Sequence, residues 1–128
     1  MQTLDGSYES EEIERSIIEL NLSIKLNDLI EMFNNAPQIT LEKNIWKILD
    51  NTDFNVKTRD EVKQKLIDYG RDPLNYDSIV SEIKRGIWYP PLILKLPNNK
   101  YYLVSGNTRL IVSKVLGIRP IVKIVSLI

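Results

Sequence analysis

The spacing of apolar residues changes at Gly86, and this change restricts the fold more than any other feature of the sequence. Before Gly86 apolar residues recur three or four positions apart, as Val62 and Leu66 do, which is the period of amphipathic helices. After Gly86 short apolar runs alternate with turn residues, which is the pattern of strands. At 128 residues the chain has the length of one domain. We therefore predict a single α+β domain over 1–128, with a helical N-terminal part at 1–75 and a core at 76–128.

The elements of both parts follow from apolar periodicity and from capping or turn residues. For the helical part we predict a helix from Ser10, a strand at 21–26, a short helix capped by Asn27, a helix opened by Thr40, a helix capped by Thr58 and Glu61, and a helix at 77–85. For the core we predict a strand at 92–96, a hairpin turn at 97–100, a strand at 101–104, a helix at 108–116 ended by Gly117, and a final apolar strand at 121–127 with an edge free for a second chain.

The composition excludes several classes of chemistry. The chain has no Cys and no His, which rules out disulfides, thiolate nucleophiles, Ser-His-Asp triads and ordinary zinc sites, and we expect neither zinc nor haem. No apolar run approaches the ~18 residues of a membrane helix, and the acidic N-terminus is not a signal peptide. We expect a cytoplasmic protein. Abundant Ile, Lys and Asn beside a single alanine, Ala36, suggest an AT-rich phage or mobile element, and then the host cytoplasm.

The net charge of zero conceals an uneven distribution. Residues 1–82 contain 17 acidic and 9 basic side chains, whereas 83–128 contain 8 basic and no acidic ones. The basic segment suggests an anionic partner, and the alternative is that the acidic half folds over it. Its basic residues are Lys84, Arg85, Lys95, Lys100, Arg109, Lys114, Arg119 and Lys123.

The hexapeptide SGNTRL at 105–110 is the strongest candidate site. A strand that ends in glycine and opens directly into a helix directs free backbone N–H groups at one point, which is a general anion site. Gly106 permits close approach of a ligand, and Arg109 is shaped for bidentate phosphate contact. The alternative is that Asn107 only caps the helix and Arg109 points to solvent. The candidate phosphate-binding residues are Ser105, Gly106, Asn107, Thr108 and Arg109, which we call the 105–109 turn.

Three further groups have both a functional and a structural interpretation. Trp88 and Tyr89 stack on a base or pack at a helix–strand junction. Asp50, Asp53 and Asp60 surround a polar loop that either binds magnesium or is only a loop. The N-terminal acidic run is either a solvated helix face or an arm that binds a protein partner, and its residues are Glu9, Glu11, Glu12 and Glu14.

From residue 77 onward the chain resembles the ParB/sulfiredoxin superfamily of nucleotide-binding domains. The resemblance is carried by IVSEIKRGIWYPPLILKL, then NNKYYLVSGNTRLIVSKVLG, then IRPIVKIV. It implies a Gly-x-x-Arg turn, here Gly106 and Arg109, that holds the phosphates of a nucleotide such as ATP or CTP with magnesium. The two variable positions hold Asn107 and Thr108, where sulfiredoxins have Cys and His and CTP-hydrolysing ParB proteins have Glu and Arg. Sulfinic acid reduction is therefore excluded.

The sequence is compatible with three functions. The first is binding of a nucleotide or another phosphate at the 105–109 turn, with or without phosphoryl transfer or hydrolysis by a carboxylate from the first 82 residues. The second is a non-enzymatic interaction module that engages a protein partner through the acidic half. The third is a ParB-like nuclease or DNA-binding module, although sequence-specific DNA binding is not expected because the helix-turn-helix domain of partition ParB is not seen after Gly117.

Overall fold

A computed structural model describes residues 8–127, which form six α-helices, four β-strands and one 3₁₀ turn. The helices are α1 (Tyr8–Glu19), α2 (Leu26–Asn35), α3 (Lys43–Ile48), α4 (Arg59–Asp68), α5 (Asn75–Lys84) and α6 (Asn107–Leu116). The strands are β1 (Gln38–Thr40), β2 (Leu92–Leu96), β3 (Lys100–Ser105) and β4 (Ile121–Ser126), and the 3₁₀ turn is Pro97–Asn99. The predicted α+β class is confirmed.

The four strands form one mixed sheet in the order β1-β4-β2-β3. Strands β2 and β3 are an antiparallel hairpin, β4 runs parallel to β2, and β1 pairs antiparallel with β4. Because β4 has a neighbour on each side, the expectation that the last strand has a free edge is wrong. Burial of its apolar run agrees with this interior position.

Helices cover both faces of the sheet. On one face Ile13 of α1 and Phe33 of α2 pack against Leu94 and Val125. On the other face Trp46 of α3 and Leu110 of α6 lie over Ile93 and Val122. An outer cluster joins α4 and α5 to the far side of α6, through Val62, Leu66, Tyr76, Ile79, Ile111 and Val112. Helix α6 is thus held between the sheet and two helices, which fixes the position of its N-terminus.

The turn and cap residues explain where several elements end. Asn98 and Asn99 have φ of 67° and 58°, which suits the predicted tight turn between β2 and β3. Thr58 caps α4, since its hydroxyl oxygen accepts a hydrogen bond from the Glu61 N–H at 3.2 Å.

Three predictions in the helical part are wrong. The segment 21–26 is not a strand, because Leu22 and Ile24 pack from a loop against the α1–α2 side of the core and Leu26 begins α2. Asn27 lies inside α2, whose N-cap is Lys25. Thr40 belongs to β1, a strand that the sequence analysis missed, and the following helix begins only at Lys43.

Within residues 8–127, no helix is both long and apolar enough to cross a membrane.

Candidate functional site

All five residues of the 105–109 turn line one cleft with a volume of about 880 Å³. The cleft is bounded by α1, the loop before α4, the C-terminal end of α4 and one face of α5. Each of the five residues is half-buried. The sequence-predicted residues therefore share one concave surface, which is the usual setting of a ligand site.

The N-terminus of α6 opens into this cleft with unpaired backbone donors. The first bond inside the helix runs from Leu110 N–H to the Gly106 carbonyl at 3.0 Å. The N–H groups of Asn107, Thr108 and Arg109 therefore have no acceptor within the helix. Gly106 is the N-cap, and no side chain caps this end. The arrangement can hold an anion.

Gly106 is required by packing as well as by backbone conformation. Its φ is +101°, and a Cβ at this position would lie 2.7 Å from the Pro91 Cβ. Pro91 thus occupies the space where we expected a ligand to approach the glycine. The glycine lets the end of β3 pass close to the start of β2, and this close approach sets the direction of α6.

Arg109 faces an aromatic ring. Its guanidinium carbon lies 5.1 Å from the centroid of Tyr89, which is within cation–π range. Tyr89 also lines the cleft. Trp88 does not share this role, because its indole N–H donates to the Ile121 carbonyl at 2.8 Å. The two aromatics that we considered for base stacking therefore have different environments.

The Asn107 side chain joins the turn to the polar loop at 51–53. Its Oδ1 accepts a hydrogen bond from the Thr52 hydroxyl at 2.7 Å, and its Nδ2 donates to Asp53 Oδ2 at 3.1 Å. Asn51 donates to the Leu103 carbonyl at 2.9 Å. Asn107 is therefore not a simple helix cap, and its amide fixes a neighbouring loop in the wall of the cleft.

Asp53 accepts a second short hydrogen bond. The Tyr69 hydroxyl donates to Asp53 Oδ2 at 2.5 Å. Burial, followed by the Asp53 hydrogen bond and charge, raises the pKa of Tyr69 to about 12. Tyr69 is thus a neutral donor at physiological pH and holds the carboxylate in place.

Of the three aspartates considered for magnesium, Asp53 lies in the cleft lining, whereas Asp50 and Asp60 are exposed outside it. In the part of the chain that the structure describes, no three acidic, His or Cys side chains cluster as metal ligands.

The N-terminal acidic run divides between the cleft and solvent. Glu9 and Glu12 line the cleft together with Arg15, whereas Glu11 and Glu14 are exposed. The run is therefore more than a solvated face.

Within residues 8–127, the salt bridges found do not neutralise the basic segment, although the charge of Glu9 acts on Lys123. The salt bridges found within residues 8–127 join partners that all precede residue 83. The basic residues have separate environments instead. Lys114 lies 4.6 Å from the centroid of the Phe54 ring, and Lys123 is 1% exposed. Burial lowers the pKa of Lys123, whose ammonium donates to the Phe33 carbonyl at 3.1 Å.

Sequence reasoning missed the contribution of α5 to the cleft. Four residues on one face of this helix line the cleft, and they are three, one and three positions apart. They are Asn75, Ser78, Ile79 and Glu82. The signal was the polar character of three of these positions, which is unusual on a helix face turned toward the protein.

Comparisons of the chain with protein family models, with curated proteins and with solved structures gave no match.

Proposed function

We propose that this protein binds a nucleotide or another phosphate ligand in the cleft, with the phosphates at the 105–109 turn. The observation that carries the proposal is the convergence of Ser105, Gly106, Asn107, Thr108 and Arg109 on one cleft at an uncapped helix N-terminus. This is also the role that the ParB/sulfiredoxin resemblance implies for the turn.

The electrostatics of α6 support a bound anion. Arg109 is a cation in the first turn, where it opposes the helix dipole by about 0.3–1 kcal/mol. No salt bridge within residues 8–127 includes Arg109. A phosphate would pair with the guanidinium and accept from the free N–H groups, which turns an unfavourable placement into a favourable one.

The size of the cleft supports a ligand as large as a nucleotide. Its volume of about 880 Å³ falls within the roughly 300–1,000 Å³ of small-molecule sites. An isolated phosphate would fill only a small part of this space.

Turnover by phosphoryl transfer or hydrolysis would need a carboxylate beside the phosphates. Asp53 is the cleft carboxylate that is hydrogen-bonded to the turn, through Asn107. A magnesium ion that accompanies ATP or CTP would shield the phosphates from its charge.

Calorimetric titration with ATP, CTP, ADP and GTP in the presence of magnesium tests the proposal. We expect at least one of them to bind and Arg109→Ala to weaken that binding about tenfold or more, since a hydrogen bond to a charged group contributes about 1.5–3 kcal/mol. Arg119→Ala is the matched control, because Arg119 is exposed and lies beyond the other end of α6. Equal affinity of the Arg109 variant and the parent would contradict the site.

A second candidate is a non-enzymatic interaction module, and β1 favours it. This strand lies at an edge of the sheet, all three of its residues are exposed, and Ile39 is 42% exposed. An open edge strand can pair with a strand of another protein. Co-purification of a partner that Ile39→Lys abolishes, with no nucleotide bound to the parent, would favour this candidate over the first.

A further inference from the structure

Seven charged side chains line the cleft, and six of them have an interaction partner in the described part of the chain. Glu12 pairs with Arg15 at 3.8 Å, and Asp53 pairs with Lys65 at 3.7 Å. Glu9 and Arg71 also have partners, and Arg109 lies against the ring of Tyr89 at 5.1 Å.

Glu82 is the seventh, and Glu82 and Arg109 each oppose the dipole of their own helix. Glu82 is an anion in the last turn of α5, and Arg109 is a cation in the first turn of α6. Both are half-buried, and neither forms a salt bridge within residues 8–127. Two charges placed against the local preference in one cleft indicate a ligand that compensates both.

The two charges require different groups on that ligand, an anion for Arg109 and hydrogen-bond donors for Glu82. Arg109 and the α6 N-terminus need an anionic group, which the phosphates supply. Glu82 is a pure acceptor when ionised, so it needs N–H or O–H donors and repels carbonyl oxygens. A ligand that satisfies both has a phosphate group and a hydrogen-bond donor edge.

We propose that the cleft selects a guanine nucleotide, with the Glu82 carboxylate accepting hydrogen bonds from the base. Guanine presents two adjacent donors, the ring N1–H and the 2-amino group, which match the two oxygens of a carboxylate. Adenine and cytosine present one amino donor beside a ring acceptor that faces the same carboxylate. This inference rests on the proposed function and adds the class of base.

The surroundings of Glu82 suit a base. Ile79 lies one turn before it on the same face of α5 and gives an apolar surface in the lining. Tyr89 also lines the cleft, and its ring lies against the Arg109 guanidinium. The cleft therefore has apolar contact for a ring plane next to a carboxylate for its polar edge.

Titration of the full chain with GTP, ITP, ATP and CTP, each with magnesium, tests the inference. ITP differs from GTP only in lacking the 2-amino group. We expect GTP to bind the parent about tenfold or more tightly than ITP, and also more tightly than ATP and CTP. Glu82→Gln should reduce the preference of GTP over ITP to about threefold or less. Glu14→Gln removes an equal charge at an exposed position outside the cleft, and it should keep the full preference.

The outcomes separate this inference from the proposed function. Equal affinity for GTP and ITP, tighter binding of ATP or CTP, or an unchanged preference in Glu82→Gln would overturn the guanine assignment while nucleotide binding stands. Binding of none of the four nucleotides would overturn both.

Discussion

At the scale of single residues, Gly106 connects backbone conformation to the position of the candidate site. Its positive φ alone would favour glycine, but the closeness of Pro91 is the stronger restriction, because a Cβ has no room there. The sequence pointed to this glycine for a different reason, ligand approach. The contact with Pro91 joins positions fifteen residues apart, and no local pattern indicates it.

We expect Gly106→Ala to destabilise the protein by about 2–4 kcal/mol, because it combines strain at positive φ with a clash against a proline ring. Urea unfolding measures the loss. Gly117→Ala is the control, since its φ is +69° but no atom lies within 4 Å of the added Cβ, and it should cost about 1 kcal/mol. Equal losses in the two variants would show that the Pro91 contact is unimportant.

Tyr69 gives a prediction about alkaline pH. Its pKa rises from 10.0 to about 12 on folding, so the folded protein keeps a proton that the unfolded chain loses. Its contribution to stability is therefore complete below about pH 10 and is lost as the pH rises to about 12. We expect Tyr69→Phe to be less stable than the parent at pH 8 and the difference to shrink by pH 11, as measured by urea unfolding. A difference that is constant with pH would contradict the Asp53 contact.

Only some residues of the site could be predicted from the sequence. The 105–109 turn is contiguous, so its pattern identifies it as a candidate. Asp53 meets Asn107 across 54 positions, and Glu82 reaches the same cleft from a different helix. Such contacts depend on how helices pack around α6, which local periodicity does not encode.

At the scale of elements, the sequence predicts best the helices and strands that are marked by their own apolar runs and turn residues. It predicts poorly the elements that depend on pairing or packing with another part of the chain. The strand 92–96 was predicted with its observed bounds, and the other core elements begin or end within one residue of prediction, since strong apolar runs and turn residues mark them. Strand β1 has three exposed residues and exists through its pairing with β4, so its own sequence gives no signal. The alternation at 21–26 was misleading because its apolar residues pack from a loop.

The N-terminal cap of helix α4 was predicted from the sequence, and its contribution to stability can be tested directly. Thr58→Ala removes the hydroxyl that accepts from the Glu61 N–H, and we expect a loss of about 1 kcal/mol in the free energy of unfolding. Ser81→Ala, at an exposed position within α5, should change stability by less than about 0.5 kcal/mol. Thermal or urea unfolding distinguishes the two. A Thr58 variant as stable as the Ser81 variant would mean that the cap does not stabilise α4.

At the scale of the whole molecule, Lys123 connects the sheet to helix α2 by hydrogen bonds. It lies in β4, and its ammonium donates to the carbonyls of Phe33 at 3.1 Å and Asn34 at 3.4 Å, near the C-terminal end of α2. These carbonyls lie at the negative end of the helix dipole, which partly offsets the cost of burying the charge.

We expect Lys123→Ala to cost about 2–4 kcal/mol, because it leaves a cavity in the core and removes a donor from buried carbonyls. Lys100→Ala, at an exposed position on β3, should be within about 0.5 kcal/mol of the parent. Urea unfolding of both variants gives the comparison. If the two variants are equally stable, Lys123 does not hold the layers together.

The central claim is that nucleotide phosphates bind at the N-terminus of α6, and amide chemical shifts measure this most directly. In a nuclear magnetic resonance titration with ATP, CTP and GTP in turn, with magnesium, we expect the N–H signals of Asn107, Thr108 and Arg109 to shift saturably with at least one nucleotide. The N–H signals at the start of α4, where Thr58 already caps the helix, should stay in place. Unchanged signals at the three α6 positions, or nucleotide-dependent shifts confined to other parts of the chain, would contradict the account.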